Sequence, residues 1–408
     1  MIPRSSTSRW FSNNARKSQK KVDCAVYGCG LSASGALAIP KLVQSASGPD
    51  GEMGSKETER PKRIPFFNTF GVRHVASGFG FSLFASDTKL WGAGINNRLQ
   101  IGGHLSSPSQ PVQDYYISAK KINIPCGRIV GISSGRAHSL ILTDVGVFCI
   151  GDNNFGQCGR DPQEFPRVVG VPEHPLQPIL TEFPIKSVHC SLDTSFLLDS
   201  EGTVWSFGLN EDGQCANGRY GIEWTPQKVG GDLEGVRVKE VSGSTDTLLA
   251  VSEQGELFVW GQTEYGQACG ASDLIQLNTA RSLSISSSIG PISSAATTQS
   301  SVIVGNVRGE VYVWGVGVLG MGPDVDRLKA PTLMDQPLFD GKKVVSVFAG
   351  NSCMSALNCS ERLFVWGENR FSSLGLGHSK RQLFPYQLFL PGDVKTAALG
   401  PDHSLFLV

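Results

Sequence analysis

Two glycine motifs in this chain have the spacing of turns that do chemistry in enzymes. The first, Gly315-Val316-Gly317-Val318-Leu319-Gly320, follows a β-type run and matches the G-x-G-x-x-G pattern of a dinucleotide-binding loop. Such a loop needs a helix directly after it, whose N-terminus faces the pyrophosphate. Met321-Gly322-Pro323-Asp324 predicts a turn instead. No nucleotide cofactor is therefore expected at this motif.

The second motif, Gly131-Ile132-Ser133-Ser134-Gly135, has the G-x-S-x-G spacing of a serine nucleophile elbow. An elbow requires a strand, a sharp turn and a helix. This motif instead enters a β-rich run, at a place where another part of the chain has Val75-Ala76-Ser77-Gly78. The chain also lacks the G-x-x-x-x-G-K-[ST] loop of nucleoside triphosphate sites. We expect no catalytic residue and no cofactor.

The histidines and cysteines do not have the spacing of a metal site. The seven His are scattered through the chain, and the ten Cys include no C-x-x-C. The cysteines stand singly, often beside glycine in apolar stretches, which favours reduced and mostly buried thiols. We therefore expect neither a metal nor a disulfide framework.

The elements that position all these residues belong to an internal repeat. Seven times, a short β-type run ends in an aromatic residue and Gly, or nearly so. The final glycines are Gly28, Gly92, Gly151, Gly208, Gly261, Gly315 and Gly367. Their mean spacing is about 56 residues, which indicates a repeat architecture such as a solenoid or propeller.

A second anchor, Gly-x-x-His-Ser-Leu, comes before most of these runs. Its fullest copies are Gly135–Leu140 and Gly400–Leu405, and weaker copies start at Gly78, Gly243 and Gly350. In the two weakest copies, Ser191 and Thr297 take the place of Gly. Four residues are expected to replace the His, namely Thr194, Asp246, Ser300 and Cys353. A short turn with Gly links this anchor to the aromatic-Gly run in the clear copies, which predicts a β-hairpin.

Each repeat therefore predicts a small antiparallel sheet, which alone leaves an apolar face uncovered. Seven such sheets in a ring cover each other's faces. The chain opens with an aromatic-Gly run and closes on a Gly-x-x-His run, so the two ends complete one sheet. We predict an all-β fold over residues 22–408, a seven-bladed β-propeller closed by N- and C-terminal strands in one blade. The tryptophans expected to pack between blades are Trp91, Trp205, Trp260, Trp314 and Trp366.

Residues 1–21 have a different composition from the rest of the chain. They contain six Lys or Arg, several Ser and no acidic residue. This is typical of a mitochondrial transit peptide, and no apolar centre of a secretory signal is present. Arg9-Trp10-Phe11-Ser12 fits cleavage after Phe11 by the matrix processing peptidase. We expect a mitochondrial matrix protein whose leader lies outside the propeller. No apolar run approaches the ~18–20 residues that cross a bilayer.

The two anchors and their period resemble the regulator of chromosome condensation family of seven-bladed propellers, over about Val22–Val408. The absence of a Trp-Asp dipeptide disfavours the WD type, and the kelch type is the alternative fold. In the family, Asp and His residues of the Gly-x-x-His loops engage a small GTPase and help to expel its nucleotide. The resemblance thus implies a partner-binding face made of Arg136, His138, Asp193, Asp246, Asp402 and His403. The family's GTPase wedge is not clearly recognisable, although the Pro-rich connector over residues 160–181 is a candidate.

The resemblance implies two functions, neither of which involves catalysis of a chemical step. The first is a protein and RNA interaction scaffold that supports large-subunit rRNA stability and ribosome biogenesis, together with assembly factors. The second is a guanine-nucleotide exchange factor for a mitochondrial GTPase, either the dynamin-like fusion GTPase or a ribosome-assembly GTPase. A peripheral association with the inner membrane accompanies the fusion GTPase. No DNA partner is expected.

The charge of the chain bears on RNA binding. With 36 basic and 36 acidic residues the net charge is zero, which argues against nucleic-acid binding through the overall field. Only short basic groups are present, namely Arg60/Lys62/Arg63, Lys120/Lys121, Lys342/Lys343 and Lys380/Arg381. Most aromatic residues are expected in the core, so the sequence identifies no stacking platform. We expect RNA contact to be local or through partners.

Overall fold

The computed structural model describes residues 24–44, 56–103, 112–164, 168–169 and 176–408. The leader predicted over residues 1–21 and part of the connector over residues 160–181 lie outside these stretches. The start of the propeller at residue 22 therefore stays a prediction. Within these stretches the strands form seven antiparallel sheets, which confirms the seven-bladed propeller.

The strands follow one another around the ring. Blade 1 begins with β1 (Val26–Leu31) and β2 (Glu57–Arg63). Blade 2 contains β3 (His74–Ser77), β4 (Phe81–Ala85), β5 (Leu90–Ile95) and β6 (Tyr115–Ile122). Blade 3 contains β7 (Ile129–Ser134), β8 (His138–Thr143), β9 (Gly146–Asp152), β10 (Val168–Val169) and β11 (Gln177–Ile179). Blade 4 contains β12 (Ile185–Ser191), β13 (Thr194–Asp199), β14 (Val204–Asn210) and β15 (Gly221–Lys228).

The second half of the ring repeats the pattern. Blade 5 contains β16 (Val238–Ser242), β17 (Thr247–Ser252), β18 (Leu257–Gln262) and β19 (Gln276–Leu283). Blade 6 contains β20 (Ile292–Thr297), β21 (Ser301–Asn306), β22 (Val311–Val316) and β23 (Arg327–Leu333). Blade 7 contains β24 (Val344–Ala349), β25 (Cys353–Asn358), β26 (Leu363–Gly367) and β27 (Gln382–Leu388). Finally, β28 (Thr396–Leu399) and β29 (His403–Leu407) return to blade 1.

Helical segments are short and lie in the connections. They are α1 (Pro40–Gln44), α2 (Ser286–Ile289) and the 3₁₀ turns Pro65–Thr69, Gln336–Phe339 and Arg370–Ser372. Within the described stretches, no helix has both the length and the apolar character that a membrane crossing requires.

The two ends of the chain close the ring, as the sequence predicts. In blade 1 the strand order is β2-β1-β29-β28, so β29 lies between a strand from each end. β1 pairs with β29 from Val26 opposite Leu407 to Gly30 opposite His403. Two further backbone hydrogen bonds join Ala25 and Val408, at 2.6 and 2.9 Å. Blade 1 therefore depends on both termini of the propeller.

The tryptophans pack between blades. Trp260, Trp314 and Trp366 are fully buried, because each lies on a third strand that faces the neighbouring blade. The Trp260 indole N–H donates to the backbone oxygen of Gln214 at 2.7 Å, in the preceding blade. Trp314 reaches the oxygen of Gln267 in the same way, at 3.0 Å. Trp260 and Trp314 thus join adjacent blades by apolar packing and by one hydrogen bond each, whereas Trp366 contributes packing.

The repeat glycine sits where the third strand approaches the start of the second. Gly208, with φ 116°, lies opposite Thr194, and a side chain there would overlap the carbonyl oxygen of Asp193. The same position is occupied by Gly30 in blade 1 and Gly94 in blade 2. The glycines expected from the sequence, Gly28 and Gly92, lie two residues earlier. Both blades have two glycines in this strand, and only the strand pairing distinguishes them.

The described ends of the connector over residues 160–181 belong to blade 3. β10 pairs with β9 at Asp152 and Gly151, and β11 pairs with β9 from Cys149 to Val147. Together these two short strands occupy the outer position that one strand fills in the other blades. Of this candidate wedge, residues 165–167 and 170–175 lie outside the described stretches.

Candidate functional site

Two sets of loops meet on one face of the propeller. The first set joins the first and second strands of each blade, and the second set follows the third strand. They meet because the start of each second strand pairs with the end of the third, as His138 pairs with Gly151 and Thr194 with Gly208. We call this surface the loop face. The loop face carries Arg136 and the three aspartates predicted from the sequence, Asp193, Asp246 and Asp402.

Those three aspartates, Asp193, Asp246 and Asp402, occupy the same position in blades 4, 5 and 1. The backbone oxygen of each accepts a hydrogen bond from the residue that follows the repeat glycine. The donors are the backbone N–H groups of Leu209, Gln262 and Leu31, at 3.0, 2.9 and 2.8 Å. The structure thus brings together on one face residues that are up to 209 positions apart.

This equivalence corrects the register predicted for blades 5 and 6. Thr247 pairs with Gly261 and Ser301 pairs with Gly315, so these residues stand in the His position. Asp246 and Ser300 come one residue before it, where Asp193 and Asp402 also lie. The prediction was wrong by one residue in both blades, because the turn glycine that would fix the frame is displaced in blade 5 and missing in blade 6.

His138 and His403 are fully buried between blades, contrary to the expectation that they face a partner. His138 Nε2 lies 2.9 Å from Ser195 Oγ of the next blade, and burial lowers the pKa of His138 to about 3. His403 Nε2 accepts from Ser82 Oγ at 2.7 Å, and its Nδ1 donates to Asp402 Oδ1 at 2.7 Å. Both imidazoles therefore join neighbouring blades. Of His138, His403 and Asp402, only Asp402 keeps part of its side chain accessible to solvent.

Asp193 is a buried carboxylate covered by one arginine. A guanidinium nitrogen of Arg136 lies 2.8 Å from Asp193 Oδ2, in an ion pair that lacks the alignment of a hydrogen bond. The Asp193 side chain is 3% exposed, whereas that of Arg136 is 50% exposed. Burial raises the pKa of Asp193 to about 6; Arg136 opposes the shift, and Asp152 and Asp246 add to it. Among the described residues, Arg136 is thus the one cation within ion-pair distance of the Asp193 carboxylate.

Three further aspartates form an acidic cluster with Asp193. Asp246 Oδ1 accepts from Gln214 Nε2 at 2.9 Å. Burial raises the pKa of Asp152, although Asn154 donates to it at 2.7 Å. Burial, and then the charge of Asp246, raise the pKa of Asp212. We define the acidic cluster as Asp152, Asp193, Asp212 and Asp246. The sequence analysis missed Asp152 and Asp212, although both lie in or beside the recurring turns that end in Gly-Gln.

The buried charge of Asp193 predicts a pH dependence. We expect Asp193→Asn to raise the free energy of unfolding at pH 7 by about 1–3 kcal/mol, because each pKa unit corresponds to about 1.4 kcal/mol. The pKa of about 6 in the fold exceeds the ordinary value of 3.8, so ionisation between these pH values destabilises the wild type alone. Urea unfolding at pH 3, below both pKa values, should give nearly equal stabilities. A gap of the same size at pH 3 and pH 7 would contradict this origin.

The first strands of the seven blades enclose a central channel of about 320 Å³. Two ionisable side chains of adjacent blades line it. His189 Nε2 donates to the Gly243 oxygen at 2.7 Å, and burial lowers the pKa of His189 to about 4. Burial raises the pKa of Glu240 to about 7 against the opposing effects of Lys239 and Ser294. His189 is thus occupied by a backbone carbonyl and does not form a nucleophile–base pair with Glu240.

The two glycine motifs prove to be parts of blades. Gly315 lies in β22, and the residues after Gly320 form a turn rather than a helix. Gly131 lies within β7, followed by the turn that leads to His138. The ten cysteines are all free thiols, and burial raises the pKa of Cys190, for example, to about 12. Those that are buried are Cys29, Cys149, Cys158, Cys190, Cys215 and Cys353.

Known proteins share both the repeat and the fold. One family model of the regulator of chromosome condensation (RCC1) repeat matches residues 201–251 and 360–407, and a second matches residues 129–157 and 185–214. The human RCC1-like G exchanging factor-like protein is 36% identical over 402 residues, which cover 94% of this chain and 86% of that protein. This chain belongs to the RCC1 family.

Solved RCC1-family propellers superpose on the structure. The crystal structure of human WBSCR16 matches with a TM-score of 0.86 and 35% identity, over 94% of this chain and 99% of that one. Yeast Prp20p matches with a TM-score of 0.76 and 18% identity, over 94% and 91% of the two chains, and so shares the fold. The RCC1 type, and not the kelch alternative, is therefore the correct one.

Within its RCC1 repeats the chain keeps the signature His in two of seven blades. The residues in that position elsewhere are Phe81, Thr194, Thr247, Ser301 and Cys353. Thr194 Oγ1 donates to the Leu209 oxygen at 2.7 Å, and Thr247 Oγ1 donates to the Gln262 oxygen at 2.7 Å. These two threonines bond within their own blade, so the link that His138 makes to the next blade is replaced by a local one.

Proposed function

We propose that this RCC1-family propeller docks a GTPase on the acidic half of its loop face and promotes release of the bound nucleotide. The observation that carries the proposal is Asp193, a nearly buried carboxylate with a pKa of about 6 beneath the half-exposed Arg136. A fold gains nothing in stability from such a group, which is typical of functional sites. The name of the human relative, G exchanging factor-like, supports the same class of activity.

The acidic cluster suits a cationic partner loop. The charge of Asp246 raises the pKa values of both Asp193 and Asp212, in addition to the effect of burial. A lysine or arginine placed among them relieves that repulsion, so part of the binding energy comes from the cluster itself. The phosphate-binding loop of a GTPase carries such a lysine, which is free to pair with carboxylates once the nucleotide has left.

Exchange requires no covalent chemistry from the propeller. It requires a surface that binds the nucleotide-free GTPase more tightly than the loaded one, because only differential binding shifts an equilibrium. In the loaded state the partner's lysine is held by phosphates and has little to gain from Asp193 or Asp246. In the nucleotide-free state, no phosphates compete with these carboxylates for the lysine. The cluster therefore favours the empty state.

The proposal is tested by nucleotide release from purified mitochondrial GTPases, namely the dynamin-like fusion GTPase and the ribosome-assembly GTPases. Each is loaded with fluorescent GDP and mixed with wild-type propeller or with Asp193→Asn/Asp246→Asn. We expect the wild type to accelerate release from one of them and the double variant to be about 10- to 100-fold slower, because two charge-assisted contacts are lost.

Glu234→Gln provides the control, since it also removes a negative charge, but from an exposed residue of the loop that joins β15 to β16, at the opposite face. It should exchange like the wild type. The double variant should unfold at the same or a higher temperature than the wild type. Equal release rates for wild type and double variant would contradict the assignment of the site, and no acceleration of any of these GTPases would contradict exchange activity.

We retain as a second proposal that the protein acts in the mitochondrial matrix as a scaffold for large-subunit rRNA and its assembly factors, with peripheral inner-membrane association where the fusion GTPase is the partner. The basic, acid-free composition of residues 1–21 supports the location. A group of basic and exposed aromatic residues on blade 7 supports contact with RNA. Depletion of the protein should then lower large-subunit rRNA abundance, and crosslinking should recover rRNA or assembly factors.

A further inference from the structure

Blade 7 carries exposed aromatic side chains beside basic ones. Phe384 and Tyr386 lie on its outer strand β27 and are 45% and 52% exposed, with the buried Pro385 between them. Lys380 and Arg381 come directly before this strand and are exposed. β27 pairs only with β26 in the described fold, and one backbone hydrogen bond, from Gly322 N–H of blade 6 to the Leu383 oxygen at 3.1 Å, reaches its outer edge. Both rings are therefore about half exposed, with Phe384 beside Gly322. This arrangement is unlike the tryptophans of the third strands, which are buried between blades.

A cleft of about 740 Å³ lies next to these residues, between Pro323 of blade 6 and the loop before β27. Arg370, Lys380 and Arg381 line it. The one acidic residue that lines it, Glu368, is paired with Arg381 at 3.0 Å, which fixes the guanidinium at the edge of the cleft. The exposed Asp324 follows Pro323, so the basic surface ends on the blade 6 side. Together we call Arg370, Lys380, Arg381, Phe384 and Tyr386 the blade-7 patch.

The loop that presents Arg370 is held in an unusual conformation. Phe371 and Ser372 have φ values of 61° and 59°, in the left-handed region that bulky residues avoid. The corresponding turns of blades 3 and 4 have Gly156 and Gly213 where blade 7 has Ser372. Ser372 Oγ donates to Glu57 Oε2 of blade 1 at 2.9 Å, which anchors the turn.

This turn therefore forms a rigid support for the basic group it carries. The Arg370 guanidinium lies over the Phe371 ring, 4.9 Å from its centroid, and so is preorganised at the mouth of the cleft. A fixed cation loses less conformational entropy on binding a phosphate than a free side chain does.

We propose that the blade-7 patch binds single-stranded RNA, an inference that rests on the scaffold proposal above. Aromatic faces bind unpaired bases by stacking, while basic side chains follow the phosphates. Phe384 and Tyr386 are two positions apart along one strand, so their rings are separated by about 6–7 Å. This spacing leaves room for one base on each ring. A paired duplex hides its base faces and cannot use these rings. The acidic cluster belongs to blades 3–5, across the ring, so RNA and a GTPase can bind at the same time.

The test is the affinity of the purified full-length protein for a fluorescent twelve-nucleotide U-rich RNA. We expect Phe384→Ala and Tyr386→Ala each to weaken binding about 5- to 100-fold, the range for loss of one stacking contact. Phe384→Trp should retain the affinity, because it keeps a ring for stacking. With three cations on the phosphates, the logarithm of the affinity should fall with the logarithm of salt concentration with a slope of about −2.

Two matched controls lie outside the patch. Phe389→Ala removes an aromatic ring that is 72% exposed beyond the end of β27, and Lys342→Ala removes an exposed lysine from the turn before β24. Both should bind RNA like the wild type. The same measurement with a twelve-nucleotide single-stranded DNA gives any preference for ribose. A duplex RNA should bind at least tenfold more weakly than the single-stranded RNA.

The outcomes separate the site from the function. If the wild type binds the RNA and the patch variants bind equally well, the patch assignment is overturned and the scaffold proposal stands. If the wild type binds duplex as tightly as single strands, stacking on Phe384 and Tyr386 is overturned. If purified wild type binds no RNA at all while crosslinking in mitochondria still recovers assembly factors, the patch is overturned and the scaffold acts through its protein partners.

Discussion

Deletion of Ser404–Val408 is expected to abolish cooperative folding of the propeller. These residues form most of β29, which pairs with β1 on one side and with β28 on the other. Leu405, Phe406 and Leu407 are buried in the cores on both sides of blade 1. Without β29 the first two strands of the chain lose their strand pairing with the C-terminal end, and the ring opens. Thermal unfolding followed by circular dichroism should show no sigmoidal transition.

Deletion of residues 1–21 gives the contrasting control. Because this leader is predicted to lie outside the propeller, its removal should leave the unfolding midpoint unchanged. A cooperative transition in the variant without Ser404–Val408, with a midpoint near that of the wild type, would contradict closure of the ring by β29.

Trp314→Ala is expected to lower the free energy of unfolding by about 3–5 kcal/mol, the usual loss for truncation of a large buried aromatic side chain. Trp314→Phe separates packing from hydrogen bonding. It leaves the Gln267 oxygen without the indole donor that lies 3.0 Å away, which should cost about 1–3 kcal/mol. Urea unfolding followed by circular dichroism measures both values.

Trp366 is the matched comparison for Trp314. It occupies the same position in blade 7 and is also fully buried, but its indole nitrogen has no hydrogen-bond partner in the part of the chain that the structure describes. The loop of blade 6 that faces it contains Gly320 instead of the Gly-Gln turn found in blades 4 and 5. Trp366→Phe should therefore cost less than Trp314→Phe. Equal losses at the two positions would show that the hydrogen bond to Gln267 contributes nothing to stability.

The architecture could be predicted because its signals are local and repeated. An aromatic-Gly run, a turn and a Gly-x-x-His run define one blade within about 56 residues, and the incomplete ends show where the ring closes. In the blades where the Gly-x-x-His anchor is degraded, these signals could not decide which residue stands in the His position. In blade 6 the turn has no glycine, and the assignment of Ser300 in place of Ser301 followed from that.

The placement of the candidate residues on one face was predicted in part, and their role stays a prediction. Arg136, Asp193, Asp246 and Asp402 share the loop face, since residues at equivalent repeat positions must lie on equivalent loops. His138 and His403 occupy the same loops but turn inward, and their partners Ser195 and Ser82 are 57 and 321 residues away. No spacing along the chain distinguishes an inward from an outward side chain at the end of a strand.

The sequence by itself determined the fold class, the number of blades and the way the ring closes, because these follow from short motifs that recur with a regular period. Only the tertiary structure decided which charges meet. The acidic cluster and the pairing of Arg136 with Asp193 are made by loops from different blades, and the cleft beside the blade-7 patch lies between blades 6 and 7. Their burial and mutual repulsion depend on distances across the assembled ring, which the order of residues does not contain.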